Sequence, residues 1–144
     1  MISTRLELVK IEDLIEHEQV DEYHLEEISR LIAIDGVLKR PLAVDCRSRM
    51  VLDGVHRLNA LKRCGRENVP VYFMDFLSDE IVVFSADQRT LMRKTDVIEA
   101  AVSGKKFPPR STWHMVRMPT GLLGHISEIE KEVHYPLAYL VRSR

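Results

Sequence analysis

Between Met50 and Gly65 the chain runs Met-Val-Leu-Asp-Gly-Val-His-Arg-Leu-Asn-Ala-Leu-Lys-Arg-Cys-Gly, and this stretch limits the fold more than any other. Val51 and Leu52 are strand-type residues. Asp53-Gly54 is a turn pair, because glycine takes positive φ without steric cost. From Val55 the apolar residues fall at 55, 58, 61 and 64, the spacing of a helix that buries one stripe. Gly65 ends that helix from just past its last turn. A strand is therefore expected to hand over to a helix through one tight turn. His56 and Arg57 stand in the first helical turn, where the macrodipole is already positive. An uncompensated cation there costs roughly 0.3–1 kcal/mol. Free backbone N–H groups at a helix start, with a basic side chain beside them, make a cradle for phosphate or carboxylate. A solvated arginine and a surface histidine after an ordinary turn fit the same residues.

The rest of the chain punctuates itself in the same way. Leu6 to Ile11 alternates apolar and polar, as a half-buried strand does. A short turn over 12–15 leads to His17-Glu18-Gln19, which is polar, without periodicity, and read as a loop. Leu25, Ile28, Leu31 and Ile32 give a helical stripe, with Asp21 and Glu22 at its N-terminal end and Gly36 past the other. Leu42 to Asp45 and Arg49 to Leu52 read as a hairpin around Cys46-Arg47-Ser48. Strands are expected over 69–76, with Pro70 near the start, and over 80–84. Thr95 is the expected cap of a helix over 96–102 that Gly104 ends. The prolines of Lys105-Lys106-Phe107-Pro108-Pro109-Arg110 make a basic loop that delivers Ser111-Thr112-Trp113 to a strand over 114–118. Ser127 and Glu130 have the spacing of a capping box, and 136–141 reads as a last strand or a tail.

At 144 residues the chain reads as one domain with room for a real core. A net charge of −1, from 21 basic and 22 acidic residues, argues against a dedicated nucleic-acid binder. Cys46 and Cys64 are too few and too far apart for a zinc motif or a disulfide scaffold. Residues 1–5 lack the apolar run of a signal peptide, and no apolar segment is long enough to span a bilayer. The expectation is a cytoplasmic protein without a membrane anchor.

On local chemistry, Asp53 is a turn acceptor or a helix N-cap, or else a carboxylate for Mg²⁺ or a substrate hydroxyl. Ser111, Thr112 and His114 offer hydroxyls and a ring nitrogen to an anion, although Ser-Thr before a strand is commonplace. Lys105, Lys106 and Arg110 are solvated charges or steering groups for an anion. Trp113 reads as core or as a stacking platform. His24, His125 and His134 show no ligand spacing and receive no chemistry.

Asp53-Gly54-Val55-His56-Arg57, between a strand and a helix, resembles the Asp-Gly-x-His-Arg signature of the ParB/sulfiredoxin-like superfamily. Ile15-Glu16-His17-Glu18-Gln19 resembles the His-Glu-Gln segment of its archaeal free-serine kinases, residues 69–79 their strand and Ser-Asp turn, and Pro109 to His114 their Thr-Thr-x-His phosphate loop. The four segments keep their order over about residues 8–118. The resemblance implies an α+β fold, a small mixed sheet with helices packed on it, with a core over about 6–118 and an extension over 119–144. It implies a phosphotransferase moving phosphate from ADP or ATP to the hydroxyl of free L-serine, giving O-phosphoserine. Glu18 would be the general base, and Asp53 would bind Mg²⁺ or orient the acceptor. Gly54, Val55, His56, Arg57, Ser111, Thr112 and His114 would hold phosphate. There are departures. Val55 stands where sulfiredoxins carry their catalytic cysteine, which removes thiolate chemistry. No helix-turn-helix follows residue 77, and the turn is not the Gly-Glu-Arg-Arg of ParB, so DNA partitioning is disfavoured. Ala86 and Trp113 replace an aromatic and an arginine of some relatives, which leaves the acceptor open. The rival reading is a ParB-like nucleotide- or DNA-binding module without kinase activity, or an interaction domain of the same fold.

Overall fold

The computed structural model describes residues 5–141 and contains three α-helices and nine strands; the short strands at 37–38 and 123–125 have no counterpart among the sequence patterns. Residues 1–4, read above for a signal run, lie outside the described range. Strand β1 (Leu6–Lys10) gives way at Ile11 to a 3-10 turn over Ile11–Asp13, so the strand is one residue shorter than its alternation suggests. Helix α1 (Glu22–Asp35) starts at Asp21, whose carboxylate accepts the N–H groups of Tyr23 (3.1 Å) and His24 (3.4 Å). It ends at Gly36 in the left-handed region. Then come β2 (Val37–Leu38), β3 (Leu42–Asp45), β4 (Val51–Asp53), α2 (Val55–Arg63) and β5 (Asn68–Met74). After these follow β6 (Ile81–Ser85), α3 (Lys94–Ser103), β7 (Thr112–Arg117), β8 (Leu123–His125) and β9 (Tyr135–Pro136).

The main sheet has the order β1-β5-β3-β4 and is mixed: β3 runs parallel to β5, and the other two pairings are antiparallel. Its inner strands are covered on both sides. Leu42 and Val44 of β3 join Val69 and Val71 of β5 and Leu58 and Leu61 of α2 in one apolar cluster. Ala43, Tyr72 and Met74 of the same strands enter a second cluster with Ile81, Val83, Val97 and Val116. Strands buried on both faces read as continuous apolar runs, as Leu42-Ala43-Val44 does. A separate antiparallel sheet, β6-β7-β8, closes over the second cluster.

Four local expectations are corrected. Leu31 is 53% exposed, because it lies about 120° around α1 from Leu25 while Ile28 and Ile32 stay within about 60°. Helix α3 starts at Lys94, not after Thr95; Lys94 Nζ is tied to the Ser78 carbonyl (2.7 Å), and Thr95 lies inside the first turn without capping it. Residues 119–141 are not an appendage. Ile126 enters one core cluster and Leu137 and Leu140 the other, and β9 pairs with β2. The Ser127–Glu130 capping box does not form either. A 3-10 turn over Ile126–Ile129 is capped by His125 Nδ1, which accepts the Ser127 N–H (3.1 Å), and Glu130 turns inward. Among the described residues no helix is long and apolar enough to cross a membrane.

Candidate active site

Three separated segments converge on one cleft of about 480 Å³. The first is the β4–α2 turn. Gly54 takes φ +105° at the N-cap, and a Cβ there would strike Leu42 and come within 2.9 Å of Arg57 Nη2. Only glycine fits, for backbone and for space. Asp53 is the last residue of β4 and does not cap the helix; with glycine at the N-cap, no side chain occupies the first-turn N–H groups. The second segment is 15–19. It is not a free loop: Ile15 bridges to Met50, Glu18 bridges to Phe107, and Phe107 N–H donates to the His17 carbonyl (2.9 Å). The third is the start of β7, which begins at Thr112, two residues earlier than expected.

Glu18 sits where the second and third segments meet. Its carboxylate accepts the Thr112 hydroxyl and the Ser111 N–H (3.2 Å). His17 Nε2 lies 2.9 Å from Thr112 Oγ1 and 3.3 Å from Glu18 Oε2. Burial pushes the Glu18 carboxyl up, but hydrogen bonds, from His17 first and then Thr112, outweigh it, so its pKa falls below the usual glutamate value. Glu18 is ionised at neutral pH and ready to accept a proton. His114 is buried, edge-on to His17 at 5.2 Å. Burial lowers its pKa to about 3, aided by the charge of His17, so its ring is neutral.

On the opposite wall, Arg57 Nη2 donates to the Pro41 carbonyl (2.9 Å) and to Glu130 Oε1 (3.0 Å), and lies 3.5 Å from Asp53 Oδ2. Glu130 Oε1 also faces Arg40 Nη2 (3.4 Å), and Oε2 receives no N–H donor. Two carboxyls in contact become a hydrogen bond only when one carries a proton. Burial, then the bond to Asp53 and its charge, raise Glu130 to about 9, against the opposing pull of Arg57 and Arg40. Burial also pushes Asp53 up, but the Glu130 hydrogen bond and the Arg57 charge overcome it and lower its pKa. The proton therefore belongs to Glu130, and Asp53 is the anion.

Of the residues to which the resemblance gave a site role, all but Ser111 line this cleft: Glu18, Asp53, Gly54, Val55, His56, Arg57, Thr112 and His114 are on its wall. Ser111 is corrected. Its hydroxyl donates to the Pro108 carbonyl (2.5 Å), and only its N–H serves the site, through Glu18. The expected charge of His56 is corrected too. Its Nε2 accepts the Asp21 N–H (3.0 Å), and burial, then His24 and Arg110, lower its pKa, so it is a neutral donor through Nδ1. Trp113 is half-buried, with its ring 4.6 Å from that of His125. Arg110 pairs with Asp21 (3.4 Å) at the cleft, whereas Lys106 reaches Glu16 (4.0 Å) instead. Sequence reasoning missed Glu130, His125 and His24. Their spacing carries no signal, because two distant segments, α1 and residues 123–130, deliver them to the cleft wall or, for Glu130, behind it.

The chain has the α+β fold of the free serine kinases. A free serine kinase in complex with AMP superposes with TM-score 0.76 at 13% identity, covering 96% of this chain and 96% of that one. C-terminally truncated SbnI from Staphylococcus aureus superposes with TM-score 0.71 at 16% identity, covering 96% of this chain and 90% of that one. In sequence, the chain is 34% identical over 73 residues to the ATP-dependent L-serine kinase SbnI of Staphylococcus aureus. That match spans 49% of this chain and 29% of the curated relative. No family model matches the chain.

Proposed function

We propose that the protein is a nucleotide-dependent phosphotransferase that moves a phosphate from ADP or ATP to the hydroxyl of free L-serine, giving O-phosphoserine. One observation carries this reading: an ionised, partly buried Glu18 faces the same cleft as an uncapped helix start flanked by Arg57 and His56. Phosphoryl transfer to a hydroxyl needs those two things, a base for the hydroxyl proton and fixed positive groups for the phosphate. Glu18 takes the proton from the acceptor hydroxyl as its oxygen bonds to phosphorus and the bond to the nucleoside phosphate breaks. The N–H groups at Val55 and His56, with Arg57, Thr112 and His114, hold phosphate oxygens. Asp53 is anionic, partly exposed and only loosely paired with Arg57, which fits Mg²⁺ bound through one carboxylate and phosphate oxygens. Bound there, the ion would neutralise phosphate charge. The likeness to structures holding AMP or ADP, and to a protein named as an ATP-dependent L-serine kinase, supports nucleotide as donor.

The test is a phosphorus NMR or mass-spectrometric assay with Mg²⁺, L-serine and either ADP or ATP. O-phosphoserine is expected with the wild type. Glu18→Ala should lower turnover by about 10²–10⁴-fold, the usual weight of a general base, with nucleotide binding nearly intact. Nucleotide binding without product from either donor would overturn the kinase and leave the ParB-like binding module.

A further inference from the structure

Glu130 is the one buried carboxyl at the cleft that the proposed transfer leaves without a task. Its side chain has no exposure. It closes a ring of contacts between three segments. Arg40 Nη2 donates to the Ser127 carbonyl (2.7 Å) and reaches Glu130 Oε1 (3.4 Å). Arg57 Nη2 reaches the same Oε1 (3.0 Å) and the Pro41 carbonyl (2.9 Å), next to Arg40 in the chain. Arg57 and Asp53 are four residues apart across the β4–α2 turn, where an ion pair forms readily. Here the pair stays long, at 3.5 Å, while two nearer acceptors, the Pro41 carbonyl and Glu130 Oε1, hold the guanidinium.

We infer that Glu130 is a positioning residue: it draws Arg57 off Asp53, so that a cation and a separate carboxylate both face the cleft. Without it, Arg57 closes on Asp53, and each cancels the other. The functional consequence rests on the phosphotransfer reading; the geometric one does not. The device also explains why the 126–130 segment, which lies far from the signature turn in sequence, is docked behind it.

Three full-length variants test this. Glu130→Gln keeps an oxygen for Arg57 and Arg40 and presents an N–H to Asp53. Glu130→Met fills the volume and accepts nothing, and it stands in for Glu130→Ala if the latter does not fold. The first readout needs no activity. The Arg57 side-chain Nε–H signal in nitrogen-proton NMR, assigned by its loss in Arg57→Lys, should be sharp in the wild type and Glu130→Gln. It should shift or broaden in Glu130→Ala or Glu130→Met. The second readout is kinetic: kcat should fall by about 10²-fold in Glu130→Ala or Glu130→Met, as expected for misplacement of about 1 Å. KM for the acceptor should change far less, and Glu130→Gln should recover most of kcat. An unmoved Arg57 signal in Glu130→Met, or Glu130→Gln as impaired as Glu130→Met in either readout, overturns the inference. An absence of transfer in the wild type would defeat only the kinase reading, since the NMR comparison still decides the role of Glu130.

Discussion

His114 shows how burial changes what a residue can do. A histidine in a phosphate loop suggests a cation, yet its ring is enclosed by His17 and Phe76 and its pKa is about 3. Its role is that of a neutral donor or acceptor and a packing group. The sign of the stability effect follows. The unfolded chain takes up a proton near pH 6.5 that the folded protein refuses until about 3, so the folded state loses ground as pH falls through that interval. The loss is up to about 1.4 kcal/mol per pH unit. In His114→Asn, the slope of unfolding free energy against pH, measured by urea titration between pH 6.5 and 5, should be less positive than in the wild type, by up to about 1.4 kcal/mol per pH unit. His56 acts with the same sign and Glu130 with the opposite one, so the comparison is of difference curves. Parallel wild-type and variant curves would show that His114 is not the group responsible.

At the scale of the element, the β4–α2 turn carries two demands at one glycine. The left-handed φ of Gly54 excludes most residues, and the space beside it excludes any Cβ. Gly54→Ala should cost roughly 2–4 kcal/mol, from backbone strain plus overpacking, in chemical denaturation. Nucleotide affinity, measured by calorimetry on the folded fraction, should fall with it, because the clash falls on Arg57. A cost below about 0.5 kcal/mol would mean that the turn is more pliant than its geometry indicates. The segment 15–19 makes the complementary point: strand-like bridges to Met50 and Phe107, not helix or hairpin propensity, hold Glu18 in place.

For the whole molecule, the decisive feature is that residues 119–141 complete the core. Leu140 is fully buried among Ile11, Leu58 and Val69, and Ile126 among Met50, Phe76 and Val116. Leu140→Ala should destabilise the protein by about 2–5 kcal/mol in thermal or urea unfolding, the cost of a core cavity. A change under about 0.5 kcal/mol would restore the view of 119–144 as an extension. The same docking brings His125 to the cleft and Glu130 behind it, so fold completion and site completion are one event.

Local periodicity and turn chemistry determined most of the elements: the acidic start of α1 at Asp21, the Gly36 and Gly104 stops, the hairpin, and above all the strand–glycine–helix unit at 50–65. These rest on interactions within a few residues, which the sequence displays directly. The resemblance then implied that Glu18, Asp53 and residues 54–57 and 111–114 share one site, and all of these except Ser111 line one cleft. Tertiary structure alone decided the charge states of His56 and His114, because these depend on burial and on neighbours distant in the chain. It also decided that Ser111 spends its hydroxyl on Pro108, and that Arg57 is held by Pro41 and Glu130. Glu130 is the clearest case. Its i, i+3 spacing from Ser127 predicts a local cap, but two arginines from other segments and the partly exposed Asp53 offer it better partners, and long-range electrostatics overrides the local motif.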